Sequence, residues 1–105
     1  MKNELFYHNV YFWLKKPSRK KDTDQFLQSL KRFLEVSKYP KSYAITQPAN
    51  TDRVVVDNSY TYSLLVTFNS KEEHELYQKE TVHTAFVNEV SHSWEKVQVF
   101  DSVSI

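Results

Sequence analysis

Residues 5–14 constrain the fold of this chain more than any other segment. Nearly all of them are aromatic or branched, and apolar side chains recur at a period of two, which predicts a β-strand. One face of this strand carries Phe6, His8, Val10, Phe12 and Leu14, and the other carries Tyr7, Tyr11 and Trp13. A strand that is apolar on both sides must be covered on both. We therefore expect helices against one face and a second apolar surface against the other.

Length and composition exclude several classes of protein. The 105 residues fit one domain, 1–105, because a chain of this length has room for a single core. A formal net charge of +1 gives no general attraction to nucleic acid or to an anionic membrane, so we expect neither as a partner. Cysteine and glycine are absent, which excludes thiolate metal sites and the glycine-rich loops that bind nucleotide phosphates. The first residues lack the apolar run of a signal peptide, and we expect a cytoplasmic protein.

The segment after the first strand predicts a helix. Asp22 has Gln25 three residues later, the spacing of a capping box, so the helix is expected to begin at Asp22 or Thr23. Its apolar residues recur at helical spacing, and it is expected to end before Pro40. A short strand is predicted over residues 42–46 and a longer one, with clear alternation, over residues 60–68.

The last third of the chain predicts a broken helix and a final strand. Ser70 and Glu73 form a second capping box, which predicts a short helix through Tyr77. A further helix is predicted over residues 82–92, and Trp94 leads into a strand over residues 97–103.

This order of elements is that of an α+β, ferredoxin-like βαββαβ fold, in which a four-stranded antiparallel sheet carries its helices on one face. The other face would be bare, although several strands are apolar on both sides. A second copy of the chain covers such a face at the same patch on both subunits, so we expect a homodimer in which two sheets face each other.

Two groups capable of proton chemistry lie six residues apart across the predicted junction of two helices: the phenol of Tyr77 and the imidazole of His83. His8 shares a face of the first strand with Phe6, Val10 and Phe12, and a core hydrogen bond and a place in a lined cavity are equally reasonable interpretations of it. His74 and His92 lie among polar residues and are interpreted as surface side chains. No metal-ligand set is therefore expected.

Four segments together resemble the stress-responsive dimeric α+β barrel (Dabb) domain family. They are HNVYFWLK at 8–15, YTYSLLVTF at 60–68, ETVHTAF at 80–86 and WEKVQVFD at 94–101. The resemblance covers nearly the whole chain and implies a homodimeric α+β barrel with a cavity between sheet and helices. In a plant polyketide cyclase of this family, which closes a linear polyketide by an aldol reaction, a tyrosine and a histidine carry the chemistry. The resemblance assigns these roles to Tyr77 and His83, and it matches an early strand histidine of that enzyme with His8.

The sequence also departs from the family pattern. The usual His-Pro-Xaa-His segment reads Glu80-Thr81-Val82-His83, so the second histidine is kept while the first histidine and the proline are not. A proline would fix one backbone angle at the start of the helix, so its loss affects the orientation of His83. Tyr62 stands where the plant cyclase has a further histidine, and the loop over residues 47–59 is longer.

Three functions are compatible with these observations. The first is a cofactor-free cyclase, lyase or isomerase acting on a carbonyl compound, with His83 as base and Tyr77 as oxyanion donor. The second is a non-catalytic ligand-binding or interaction module, and the third is a monooxygenase-like barrel. No cofactor is expected, and an apolar or carbonyl-containing small molecule is the expected ligand. The residues expected to line its site are His8, Phe6, Val10, Phe12, Tyr62, Leu64, Phe86 and Trp94.

Overall fold

A computed structural model describes residues 4–105. Its strands are β1 (Phe6–Leu14), β2 (Ser42–Thr46), β3 (Tyr62–Phe68) and β4 (Trp94–Val103). Its helices are α1 (Lys20–Val36), α2 (Lys71–Lys79) and α3 (Thr81–Val90), and a short 3₁₀ turn at Ser91–Ser93 precedes β4. This order confirms the predicted ferredoxin-like βαββαβ arrangement, including the break between the last two helices.

The four strands form one antiparallel sheet in the order β2-β3-β1-β4. Strands β1 and β3 occupy the two central positions, and the apolar residues on both faces of β1 suit a strand in the middle of the sheet. The pairing sets His8 opposite Val66 of β3 and opposite Asp101 of β4. Directly opposed residues point to the same face, so this register determines which side chains meet in the interior.

The helices cover one face of the sheet and form a single core with it. The five inward side chains of β1 are each at most 7% exposed, as predicted from their period of two. The helices add buried aromatic rings to this core, among them Phe26 and Phe33 of α1, Tyr77 of α2 and Phe86 of α3. Among the described residues, no helix has the length and apolar character needed to cross a membrane.

Several predicted boundaries were wrong by a few residues. Helix α1 begins at Lys20. The N-cap residue is Arg19, whose side chain makes no capping hydrogen bond, so the predicted capping box at Asp22 does not form. Contacts within the first turns stabilise the earlier start, because Lys20 pairs with Asp24 at 2.6 Å and the Thr23 hydroxyl donates to the Lys20 carbonyl.

The second capping box forms as predicted, whereas the last strand begins earlier than predicted. The Ser70 hydroxyl accepts from the Glu73 backbone N–H at 3.1 Å, as predicted for the start of α2. Strand β4 begins at Trp94, three residues before the prediction, because an irregularity between Trp13 and Leu14 lets Leu14 pair with Trp94.

The face of the sheet that no helix covers, here called the open face, is rich in aromatic residues. It carries Tyr7, Asn9, Tyr11 and Trp13 of β1 and Phe100 of β4, which lies opposite Asn9. Phe100 is 59% exposed, and Tyr11 packs edge to face against Tyr60 with ring centroids 5.0 Å apart. A depression of about 430 Å³ lies on this face between Tyr11, Trp13 and Phe100.

Candidate functional site

Tyr77 lies in the last turns of α2, and its side chain fills the space between helices and sheet. It is 1% exposed, and its ring packs against Phe68 at 4.9 Å, Phe33 at 5.4 Å and His8 at 6.0 Å between centroids. Burial raises the pKa of the Tyr77 phenol well above its usual value, and the nearby charge of Glu80 adds to the increase. The phenol therefore stays protonated and able to donate a hydrogen bond.

His83 lies in the first turn of α3, where its ring meets Tyr77 edge to face at 5.4 Å. It is half-buried and also packs against Phe33 at 5.5 Å. Burial lowers the pKa of the His83 imidazole below its usual value, and His8 lowers it further, while Glu80 acts in the opposite direction. The imidazole is therefore neutral at pH 7 and has a free lone pair.

Glu80 holds the junction on which the relative position of Tyr77 and His83 depends. It is the one residue between α2 and α3, and its backbone N–H donates to the Tyr77 carbonyl at 3.2 Å. Its carboxylate accepts hydrogen bonds from the Ser37 hydroxyl and from the Lys38 backbone N–H at 3.1 Å, both beyond the end of α1. These bonds fix the start of α3 in a chain that lacks a proline there.

His74 was predicted to be a surface side chain, and this prediction was wrong. It is 6% exposed, stacks on Phe6 at 4.3 Å, and lies with its Nε2 atom 3.2 Å from Nδ1 of His8. The same His8 nitrogen is 2.6 Å from the Oδ1 atom of Asp101. Burial lowers the pKa of the His74 imidazole, as does the proximity of His8.

The burial of His74 could have been predicted from its spacing. It lies three residues before Tyr77, which places both side chains on the same, buried side of α2. The many glutamates around it obscured this spacing. Asp101 was also missed, although it alternates with Val97, Val99 and Val103 on the helix-facing side of β4. His92 is exposed, as predicted.

The predicted lining residues fall into two neighbouring groups. Phe6 and His8 lie at the Tyr77 end of the interior, while Phe12, Tyr62, Phe86 and Trp94 lie toward its other end. Val10 and Leu64 are opposed residues of β1 and β3, and both are buried in the core.

Within residues 4–105, Trp94 carries a buried side-chain N–H without a hydrogen-bond partner. Its ring packs against Phe12 at 5.5 Å and Phe86 at 6.3 Å between centroids. An unpaired buried N–H costs about 1–3 kcal/mol, so an acceptor atom placed beside it would be bound favourably.

Aromatic rings occupy the space where a cavity was expected. Tyr77 and Phe33 are buried in contact with each other rather than lining an open volume. A shallow groove of about 190 Å³, here called the α1–α3 groove, runs over this region, and Phe33, Val82 and Phe86 form part of its lining. Phe33 thus lies between the groove on one side and the rings of Tyr77 and His83 on the other.

Comparisons with known proteins identify the family. The sequence profile of the Dabb family, described as the stress responsive A/B barrel domain, matches residues 6–104. A comparison with curated proteins gave no match.

The fold is similar to several solved structures. A Dabb family protein with a ferredoxin-like fold from Mesorhizobium loti is 21% identical, with a TM-score of 0.81 over 97% of this chain and 98% of that one. Hydroxynitrile lyase from Passiflora edulis is 20% identical, with a TM-score of 0.80 over 99% and 96%. A dimeric ferredoxin-like protein of unknown function from Thermobifida fusca is 12% identical, with a TM-score of 0.78 over 99% and 94%. At these identities the likeness concerns the fold.

Proposed function

This chain belongs to the Dabb, or stress responsive A/B barrel domain, family, and we propose that it is a homodimer that binds a small carbonyl compound and performs cofactor-free proton chemistry on it. The observation that carries the proposal is the contact between a protonated buried phenol, Tyr77, and a neutral imidazole, His83, in an aromatic interior. One group can donate a hydrogen bond to a carbonyl oxygen, and the other can accept a proton from the adjacent carbon.

The proposed reaction begins with loss of a proton from the carbon next to the carbonyl group. His83 takes this proton on its free ring nitrogen, and the C–H electron pair moves to form an enolate. Tyr77 donates its hydroxyl hydrogen bond to the enolate oxygen, where the negative charge develops. Return of the proton from His83 to a different atom completes an isomerisation. In a cyclisation the enolate carbon instead attacks a second carbonyl, whose C=O π pair becomes an alkoxide, and His83 returns its proton to that alkoxide oxygen.

The aromatic surroundings favour an apolar ligand with one or two acceptor oxygens. Phe33 and Phe86 stack on each other at 5.2 Å, and displacement of Phe33 would join the α1–α3 groove to the space beside Tyr77 and His83. The ring of Trp94 packs against Phe86 at 6.3 Å between centroids, and its unpaired N–H offers a second anchor for an acceptor atom. We propose entry of the ligand by this route.

The homodimer is proposed from the open face of the sheet. Tyr11, Trp13 and Phe100 form an aromatic surface there, and Phe100 is 59% exposed in the single chain. Burying such rings contributes about 25 cal/mol for each Å² of apolar surface removed from water. The similar protein from Thermobifida fusca is described as dimeric, which agrees with this proposal.

Exchange of α-protons for deuterium tests the proposed chemistry without knowledge of the natural substrate. A panel of small ketones and 1,3-dicarbonyl compounds is incubated with the protein in D₂O, and loss of the α-proton signal is followed by NMR. We expect faster exchange for at least one compound, and a decrease of about 10²–10⁴-fold in His83→Ala, the range for loss of a general base. Tyr77→Phe, which removes only the hydroxyl group, should decrease the rate by about 10²–10³-fold.

His92→Ala is the matched control, because His92 is an exposed histidine in the turn that follows α3. Its exchange rate should equal that of the unaltered protein. Equal rates in His83→Ala and His92→Ala would reject the catalytic role of His83. Binding of a compound without accelerated exchange would instead support a non-catalytic ligand-binding module.

A further inference from the structure

Three side chains with metal-binding atoms converge where β1, β4 and α2 meet. They are His8, His74 and Asp101, and their nearest ligand atoms all lie within 4.8 Å of one another. Both histidines are buried, at 5% and 6% exposure, whereas the Asp101 side chain is 39% exposed. The cluster does not include Tyr77 or His83, although the His8 ring packs against Tyr77 with centroids 6.0 Å apart. The proposed reaction takes no step through an ion at this cluster.

A single nitrogen of His8 lies close to both of the other side chains in the cluster. Its Nδ1 atom lies 2.6 Å from Oδ1 of Asp101 and 3.2 Å from Nε2 of His74, and one ring nitrogen has either one hydrogen or one lone pair. Without an ion, the Nδ1 hydrogen of His8 is shared between the Asp101 carboxylate and the His74 lone pair. A cation between the three side chains would take the place of that hydrogen, because it accepts a lone pair from each side chain.

The spacing of the two histidines matches a metal site. Zn²⁺ has bonds of about 2.0–2.1 Å to nitrogen and oxygen in tetrahedral sites, which sets neighbouring ligand atoms roughly 3.3 Å apart. The His8–His74 nitrogen separation of 3.2 Å agrees with this value. The His8–Asp101 separation of 2.6 Å would lengthen, and the partly exposed Asp101 side chain has room to rotate.

We propose that His8, His74 and Asp101 bind one divalent transition-metal ion of the Zn²⁺ class. Two imidazoles and one carboxylate suit such ions better than Mg²⁺ or Ca²⁺, which prefer oxygen ligands. The exposed side of Asp101 gives the ion a route from solvent, and three protein ligands leave a further position for water. The site would connect the edge strand β4 to β1 and α2 through metal bonds.

Zinc titration of the chelator-treated protein tests this site. Zn²⁺ is added in competition with a chromophoric chelator, and one ion per chain is expected to bind. Changes at residues that only support ligands reduce metal affinity about 10–100-fold, so loss of a ligand in His74→Ala or Asp101→Asn should reduce it at least about 100-fold. His92→Ala serves as the control and should keep the affinity, while excess Mg²⁺ should not displace the zinc.

A measurement on the unaltered protein covers the case in which a variant does not fold. The side-chain ¹⁵N signals of the four histidines are followed by NMR as Zn²⁺ is added. Nδ1 of His8 and Nε2 of His74 should shift together at one equivalent, and by far more than the ring nitrogens of His83 and His92. Absence of binding at one equivalent, or shifts confined to His83 or His92, would overturn the proposal and leave His8 and His74 as a proton-sharing pair.

Discussion

Removal of the Glu80 carboxylate should both destabilise the protein and change the titration of His83. In Glu80→Ala the Ser37 hydroxyl and the Lys38 N–H lose their shared acceptor. A hydrogen bond to a charged group contributes about 1.5–3 kcal/mol to the free energy of unfolding, and exposure to solvent reduces this contribution. Because Glu80 is half-buried and Lys38 is exposed, we expect a combined loss of about 2 kcal/mol, or roughly 8 °C in melting temperature for a domain of this size.

The measurement is urea unfolding at fixed protein concentration, with Glu35→Ala as the control because Glu35 is exposed on α1. The control should stay within about 0.5 kcal/mol of the unaltered protein. NMR titration supplies a second result that general destabilisation would not produce. Glu80 raises the pKa of His83, so this pKa should fall further in Glu80→Ala. A stability equal to that of Glu35→Ala, or a rise in the pKa of His83, would refute the role given to Glu80.

Two further predictions concern assembly and pH. Tyr11→Glu places a charge in the open face and should convert a dimer of about 25 kDa, twice the 12.5 kDa of one chain, to monomer in native mass spectrometry. The control Tyr43→Glu lies on the helix-covered face and should leave the dimer intact. A monomeric unaltered protein would contradict the proposed dimer. The pKa of His83 is lowered from 6.5 in the folded state, so the unfolded chain binds a proton at this histidine first as the pH falls. The free energy of unfolding should therefore decrease below about pH 6.5, and it should decrease less in His83→Ala. An equal decrease in both proteins would reject His83 as the cause.

The sequence was sufficient to predict the sheet and the division of the β1 side chains between its two faces, because period-two alternation depends only on local order. The predicted start of α1 was less accurate, because side-chain contacts in its first turns favour an earlier first residue than the capping spacing does. Asp22 has capping spacing, yet the contacts of Lys20 and Thr23 place the helix start earlier.

The proximity of candidate site residues could be predicted only where those residues lie close together in the chain. Tyr77 and His83 are separated by one junction, so their contact could be inferred from helical geometry. The pairing of His8 with Asp101 depends on the register between the first and last strands, which local patterns do not determine. The burial of His74 depends on the rotation of α2 against Phe6 and Phe68, which is set by tertiary packing.

The most direct test of the proposed base is the pH dependence of α-proton exchange for whichever carbonyl compound the protein accepts. Only neutral imidazole can take the proton, and burial lowers the pKa of His83 below 6.5. The rate should therefore rise with pH, reach half its maximum below pH 6.5, and stay level at neutral pH. Tyr77→Phe should keep this profile at a lower rate, and His83→Ala should lose it. A half-maximum above pH 6.5, or the same profile in His83→Ala, would contradict the account.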